Sequence, residues 1–250
     1  MELIDVHSHL NAKLFDKDRK TILQEARNAG ITAVFDAGEN IKENDQAIQL
    51  AVTHPLLKPC AGFNPRNLKN PDVKLVQDHI RSQTDKIYAI GEVGLDYWHV
   101  KTAQDRIKQK EIFISFIELA KELDKPLVIH SRSAGKYATD LLKKHNAQRV
   151  CMHAFDGSAK NAKFGVEAGY FFSIPPSIIR SEQKKKLVEI VPLENLLLES
   201  DAPALGPERG VRNEPKNIKV ARDEIARIKG ITKQEVAQIT TENAKKLFGI

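Results

Sequence analysis

The sequence predicts an α/β fold, a (β/α)8 barrel of the TIM type, and three observations predict it. Short apolar runs rich in Val, Ile and Leu alternate with longer stretches of helical periodicity, the signature of β-α units whose parallel strands are buried on both faces. Eight such units can be marked along the chain, the number that closes a barrel. The length of 250 residues, 41% of them hydrophobic, matches the roughly 250 residues of one barrel, so a single domain spanning 1–250 is expected.

Taken in order, the strands are read at 2–7, 31–37, 57–62, 87–92, 126–130, 149–153, 170–174 and 195–200. Gly30 and Gly169, each just ahead of a strand, punctuate helix ends, and Pro126 heads a strand where a missing N–H is tolerated. Between strands four and five, residues 104–123 place Ile107, Phe113, Phe116, Ile117, Ala120 and Leu123 on one helical face. The last helix opens with Thr232 and Glu235 spaced as a capping box and turns Val236, Ile239, Ala244 and Leu247 inward. The run Lys184-Lys185-Lys186 falls in a helical stretch and reads as a solvated outer face.

Cys60 and Cys151 sit inside apolar runs with no CxxC pairing, so they read as small core residues and ask for no oxidising compartment. The opening MELIDVHSHL is acidic where a secretion signal would be basic, and no apolar run approaches the ~20 residues needed to cross a membrane. A cytoplasmic protein without a membrane partner is expected, and nothing points to an obligate protein partner. The net charge of +6 suits an anionic partner such as nucleic acid and equally suits mere solubility.

In a parallel barrel the functional side chains project from the C-terminal ends of the strands. Strand one ends in Asp5-Val6-His7-Ser8-His9, where alternation turns Asp5, His7 and His9 the same way. Strand four ends in Glu92, strand five in His130, strand six in His153, and strand eight in Glu199-Ser200-Asp201. Only eight histidines exist; four stand at these ends, while His54, His79 and His145 lie in helical stretches. Four imidazoles and two carboxylates converging on one barrel mouth would be costly to bury without a cation. Mixed imidazole and carboxylate donors suit Zn, Mn, Co or Mg, and the absence of cysteine donors argues against a structural zinc site. Six candidate ligands exceed what one ion with open positions needs, so two divalent ions are expected, with Glu92 the best-placed bridge. Asp201 is also the candidate base for an activated water.

Around these positions the chain resembles the TatD-type metal-dependent deoxyribonucleases of the amidohydrolase-like barrel superfamily, and suggests an archaeal-type member. The resemblance runs through DVHSHL, GEVGLDYW, the HSR at 130–132, the HAFDG at 153–157, the ESDAP at 199–203, the RNEP at 212–215 and TTENAKKLF. It implies that His7, His9 and Asp201 hold one ion, that His130 and His153 hold a second, that Glu92 joins them, and that the substrate is DNA. Three segments depart from the family pattern: Gly62-Phe63-Asn64-Pro65-Arg66 carries Asn where relatives have His, Ala154-Phe155-Asp156-Gly157 adds an acid, and strand seven runs into Pro175-Pro176.

For substrate contacts the sequence offers Arg132, Arg212, Asn64 and Trp98, the only tryptophan, whose ring could stack on a base or pack its loop. Asp5 is expected to fix a ligand imidazole from behind, and Asp96 to orient Glu92 or cap the following loop. Two other readings stay open: an ester or amide hydrolase such as an aminoacyl-tRNA deacylase, and a non-catalytic nucleic-acid binder with a structural metal. Arg66, Arg132, Arg209, Arg212 and Lys216, all placed in loops or strand ends on the active side, favour a phosphate-rich substrate. There is no GxSxG elbow, P-loop or GxGxxG fingerprint to support serine or nucleotide-cofactor chemistry.

Overall fold

A computed structural model describes residues 1–69 and 72–250. Among them the strands are β1 (Leu3–Ser8), β2 (Ile31–Gly38), β3 (Leu57–Ala61), β4 (Ala89–Gly94), β5 (Leu127–His130), β6 (Val150–Met152), β7 (Phe171–Ile174) and β8 (Leu196–Leu198). They form one parallel sheet in chain order, each strand paired with the next. The helices are α1 (Arg19–Asn28), α2 (Ile41–Thr53), α3 (Val73–Ser82), α4 (Ala103–Glu122), α5 (Gly135–Lys144), α6 (Ala159–Glu167), α7 (Glu182–Ile190), α8 (Ile218–Lys229) and α9 (Lys233–Phe248). None is long and apolar enough to cross a membrane.

The strands are apolar on both faces because two cores meet on them. Every strand gives at least one residue to an inner cluster, including Val6, Phe35, Cys60, Ala89, Val128, Cys151, Phe171 and Leu197. The opposite faces join the larger cluster under the helices, which includes Phe113, Phe116 and Ile117 of α4. Both cysteines are thus core residues, as their apolar surroundings predict. Ile107, expected on the buried face of α4, is 49% exposed, because only the later turns of that helix lie against the sheet cluster.

α9 begins with the predicted capping box: Thr232 Oγ1 accepts from Glu235 N and the Glu235 carboxylate accepts from Thr232 N. Its far end joins the inner cluster, where the Phe248 ring packs tilted against Phe35 with ring centroids 4.0 Å apart. Phe248→Ala is expected to cost about 3 kcal/mol in chemical denaturation, the cost of emptying a buried aromatic site.

Several strand ends differ from their predicted bounds, and the differences build the site. β8 is expected to reach residue 200 but stops at Leu198, because the next residues bond to β1 in a different way. Ser200 N donates to the Asp5 carboxylate (2.8 Å), Asp201 N to His7 O (2.9 Å), and His9 N to Ala202 O (2.8 Å). These bonds join the first and last strands. β4 runs past the expected residue 92 to Gly94, whose φ of 145° lies where only glycine is at ease, and which pairs with His130. A side chain at Gly62 would run into the backbone of Glu92, so this glycine permits the close approach of the two chain segments.

Candidate metal centre and adjoining cavity

The six residues singled out at the strand ends meet at one mouth of the barrel. Glu92, buried at 4% exposure, stands between two imidazole pairs. Its Oε2 lies 3.3 Å from His7 Nε2 and 3.1 Å from His9 Nε2. Its Oε1 contacts His130 Nδ1 and lies 3.7 Å from His153 Nε2. Asp201 Oδ1 approaches the first pair, at 3.6 Å from His7 and 3.8 Å from His9. Two sets of donor atoms are close enough to surround a cation: His7, His9 and Asp201, and His7, Glu92 and His153. His130 stands outside the second set, turned onto the Glu92 carboxylate.

Each outer imidazole is held from behind so that its other nitrogen faces the centre. His9 Nδ1 meets Ala37 O at 2.9 Å, His153 Nδ1 meets Glu199 Oε2 at 2.8 Å, and His130 Nε2 meets Asp96 Oδ2 at 3.2 Å. Such acceptors fix both tautomer and ring orientation. Glu199 takes this task without being one of the expected site residues; its place two residues before Asp201 in ESDAP is the sequence signal for it. Its carboxylate also accepts from Ser173 Oγ (2.6 Å) and Ala154 N (2.9 Å).

Asp5 works differently from expectation. Its carboxylate accepts from the backbone of His7 (3.3 Å) and Ser200 (2.8 Å) and touches no imidazole. It therefore positions the chain that carries His7 and Asp201. Along β1 it is Ile4 and Val6, not Asp5, that face the inner cluster, and the pairing with β2 shifts register between Asp5 and Ser8. Asp96 orients His130 rather than Glu92, and it caps its loop by accepting from His99 N (2.9 Å) and His99 Nδ1 (2.8 Å).

The electrostatics show what this packing costs. Burial pushes Asp201 up to about 6 and Asp36 up to about 6, and drives Asp5 well above the carboxylate range. Burial also opposes ionisation of Glu92, but His130 and His153 outweigh it and hold Glu92 well below the usual range. For His9 and His130 burial opposes protonation, yet Glu92 overrides it, with Asp201 helping at His9 and Asp96 at His130; each rises to about 10. His7 goes the other way, down to about 4, from burial and the neighbouring charge of His153. The mouth is thus rich in carboxylate charge that demands a positive partner. A neutral His7 leaves Nε2 buried with no hydrogen-bond partner among the described residues, aimed at Glu92 and Asp201.

Asp201 has a left-handed backbone (φ 52°), uncommon for a residue with a side chain and characteristic of functional positions. It is pinned there by its own N–H on His7 O and by Ala204 N on its carbonyl (2.6 Å).

A cavity of about 410 Å3 opens beside the centre, reaching from His130, His153 and Asp201 to Arg132, Asp156, Arg180 and Lys184. A larger cleft of about 620 Å3 is lined by Lys58, Tyr88, Pro126 and Phe248 at the other end of the barrel, away from the imidazoles. The chemistry therefore belongs to the smaller space.

The predicted substrate contacts divide. Arg132 is exposed and lines the cavity, its guanidinium 5.3 Å from the Trp98 ring. Trp98 is 55% exposed and does not pack its loop; buried Tyr97 does, against Arg106 and Tyr137. Arg212 is occupied elsewhere: it pairs with Asp18 (2.5 Å) and Glu214 (3.4 Å) and lies over Phe15, tying the loop after β8 to the N-terminal segment. Lys216 is likewise paired, with Glu25 and Glu214. Asn64 accepts from Arg66 N (2.8 Å) and Nε (3.2 Å), closing its own turn. Asp156 lines the cavity while accepting from Ser133 N (2.9 Å).

Two cations that the sequence does not mark also line the cavity. The short 3-10 turn Pro176–Arg180, which begins in the Pro175-Pro176 segment, brings Arg180 to the cavity. Lys184, expected on a solvated face, is only 7% exposed and points into the cavity wall, where burial lowers it to about 8. No local pattern separates it from Lys185 and Lys186; its burial follows from where α7 meets the loop after β6.

The family model "TatD related DNase" matches residues 4–249. Human "Deoxyribonuclease TATDN3" is 43% identical, covering 98% of this chain and 94% of its own. YabD of Bacillus subtilis (strain 168), described as an uncharacterized metal-dependent hydrolase, is 34% identical over 99% of both chains. The crystal structure of YJJV, a TatD homolog from Escherichia coli K12, superposes with a TM-score of 0.90 at 26% identity, covering 99% of this chain and 98% of the other. The chain belongs to the TatD-related DNase family.

Proposed function

We propose that the protein is a divalent-metal-dependent hydrolase that cleaves phosphodiester bonds in DNA, using two ions held by His7, His9, Glu92, His130, His153 and Asp201. The observation that carries the reading is the position of Glu92, whose two carboxylate oxygens face two different imidazole pairs, as a bridging ligand requires. The donor set fits such ions on independent grounds. His7 Nε2 is buried, neutral and without a partner, and the carboxylates around it carry charge that protons on His9 and His130 otherwise balance. Zn, Mn, Co and Mg all accept this mixture of nitrogen and oxygen donors.

Bound there, the cations supply an activated water and stabilise the negative charge that develops on the phosphoryl oxygens. Asp201 accepts the proton of the attacking water while its left-handed backbone holds the carboxylate at the mouth. Glu199, Asp96 and Ala37 O keep His153, His130 and His9 in their tautomers. Arg132 reaches a phosphate with a planar guanidinium, and the exposed Trp98 ring beside it offers a face for a base. The likeness to TATDN3, named a deoxyribonuclease, supports DNA over small esters as substrate.

The test incubates purified protein with labelled single- and double-stranded DNA in Mg, Mn, Zn or chelator. Cleavage that needs the ion and ceases in chelator is the expected result. Intact DNA alongside hydrolysis of aminoacyl-tRNA or simple esters would overturn the substrate, and metal-independent cleavage would overturn the centre.

A further inference from the structure

The cavity contains buried polar groups that the cleavage chemistry does not use. Lys184 Nζ donates to Ala154 O (2.6 Å) and Phe155 O (2.8 Å), which accounts for two of the three donors of an ammonium. Both acceptors are carbonyls, so the charge itself is unpaired by these bonds. A cation buried to this degree is costly unless an anion meets it. Ser131, 3% exposed, lines the same cavity, and its Oγ has no hydrogen-bond partner among the described residues.

Helix α7 begins at the same place. Ser181 caps it by accepting from Lys184 N (3.3 Å), so the positive end of the helix adds to the ammonium. Arg180, just before the cap, spends Nη2 on Gly206 O (3.0 Å) and keeps further donors. Two acids share the lining: Asp156, which accepts from Ser133 N, and Asp201, which faces His7 and His9. Arg180, Lys184 and Ser131 therefore give this part of the cavity unused donors.

We propose that Lys184, in the first turn of α7, and Ser131, in the loop after β5, form a second phosphate site in this cavity that takes the phosphate adjoining the one cleaved. The inference rests on the phosphodiesterase reading and deepens it: a strand whose scissile phosphate lies at Glu92 and Asp201 runs its neighbouring phosphate into the cavity. A single-phosphate substrate leaves the site empty.

The test uses the metal-loaded enzyme and dithymidine monophosphate, with or without an added terminal phosphate at the 5′ or 3′ end. Wild-type protein is expected to favour one of the two phosphorylated forms by about tenfold or more in kcat/KM, chiefly through KM, the worth of a charge-assisted contact. Lys184→Met and Ser131→Ala are each expected to shrink that preference. Equal losses on all substrates would make Lys184 a support for the loop after His153 and overturn the site, as would a preference that survives in both variants. Calorimetry with inorganic phosphate separates this from the nuclease reading. Phosphate binding weakened about tenfold in Lys184→Met supports the site even if no dinucleotide is cleaved. Equal phosphate binding in wild type and both variants overturns it.

Discussion

Glu92→Gln is expected to lower the rate of DNA hydrolysis by at least about 100-fold and to strip metal from the purified protein, as removal of a central electrostatic group does in a dry site. The amide keeps the shape but offers an NH2 donor to one of the two imidazole pairs that the carboxylate serves at once. It also removes the charge that keeps His9 and His130 protonated. That charge has a stability signature in chelator-treated protein. Both imidazoles are raised from 6.5 to about 10, so their stabilisation is complete below pH 6.5 and disappears as the pH rises through about 10. Urea denaturation across that window should show falling stability in the wild type and a smaller fall in Glu92→Gln. Retained metal with an unchanged rate would remove Glu92 from the centre.

Asp201→Asn is expected to cost about 10²–10⁴ in kcat, the range for loss of a general base. Asn tolerates the left-handed backbone that Asp201 adopts, so the fold is expected to persist, with an unchanged far-ultraviolet circular dichroism spectrum. The pH profile makes the prediction specific. Burial lifts Asp201 in the metal-free protein and a bound cation pulls it down again, and a base works only when ionised, so wild-type activity should fall on an acidic limb that lies below pH 6. The residual activity of Asp201→Asn should lack this acidic limb. A variant that keeps both rate and limb would assign the base elsewhere.

How much of this was legible in the sequence depended on whether the cause was local. The eight strands could be read because a strand buried on both faces is a continuous apolar run, and the capping box of α9 because both partners lie within one turn. The strand-end imidazoles and carboxylates could be read because a parallel barrel sends such residues to one mouth. Strand ends could not: β8 stops early because Asp5, at the far end of the chain, takes the N–H of Ser200. The same limit separates Arg212 from Arg180. Nothing near Arg212 reveals that Asp18 will neutralise it, and nothing near Arg180 reveals that the turn after β7 faces the cavity. Lys184 was hidden in a run of three lysines because only the contact of α7 with the loop after β6 buries it.

The central claim, that paired ions between Glu92 and four imidazoles drive phosphodiester hydrolysis, is tested most directly by metal reconstitution. Chelator-treated protein is titrated with Mn while bound metal and DNA cleavage are followed in the same samples. The account predicts that activity returns as the metal content approaches two ions per chain, and that Glu92→Gln reaches neither. Full metal loading with DNA left intact, or full cleavage by protein that holds no metal, would contradict it.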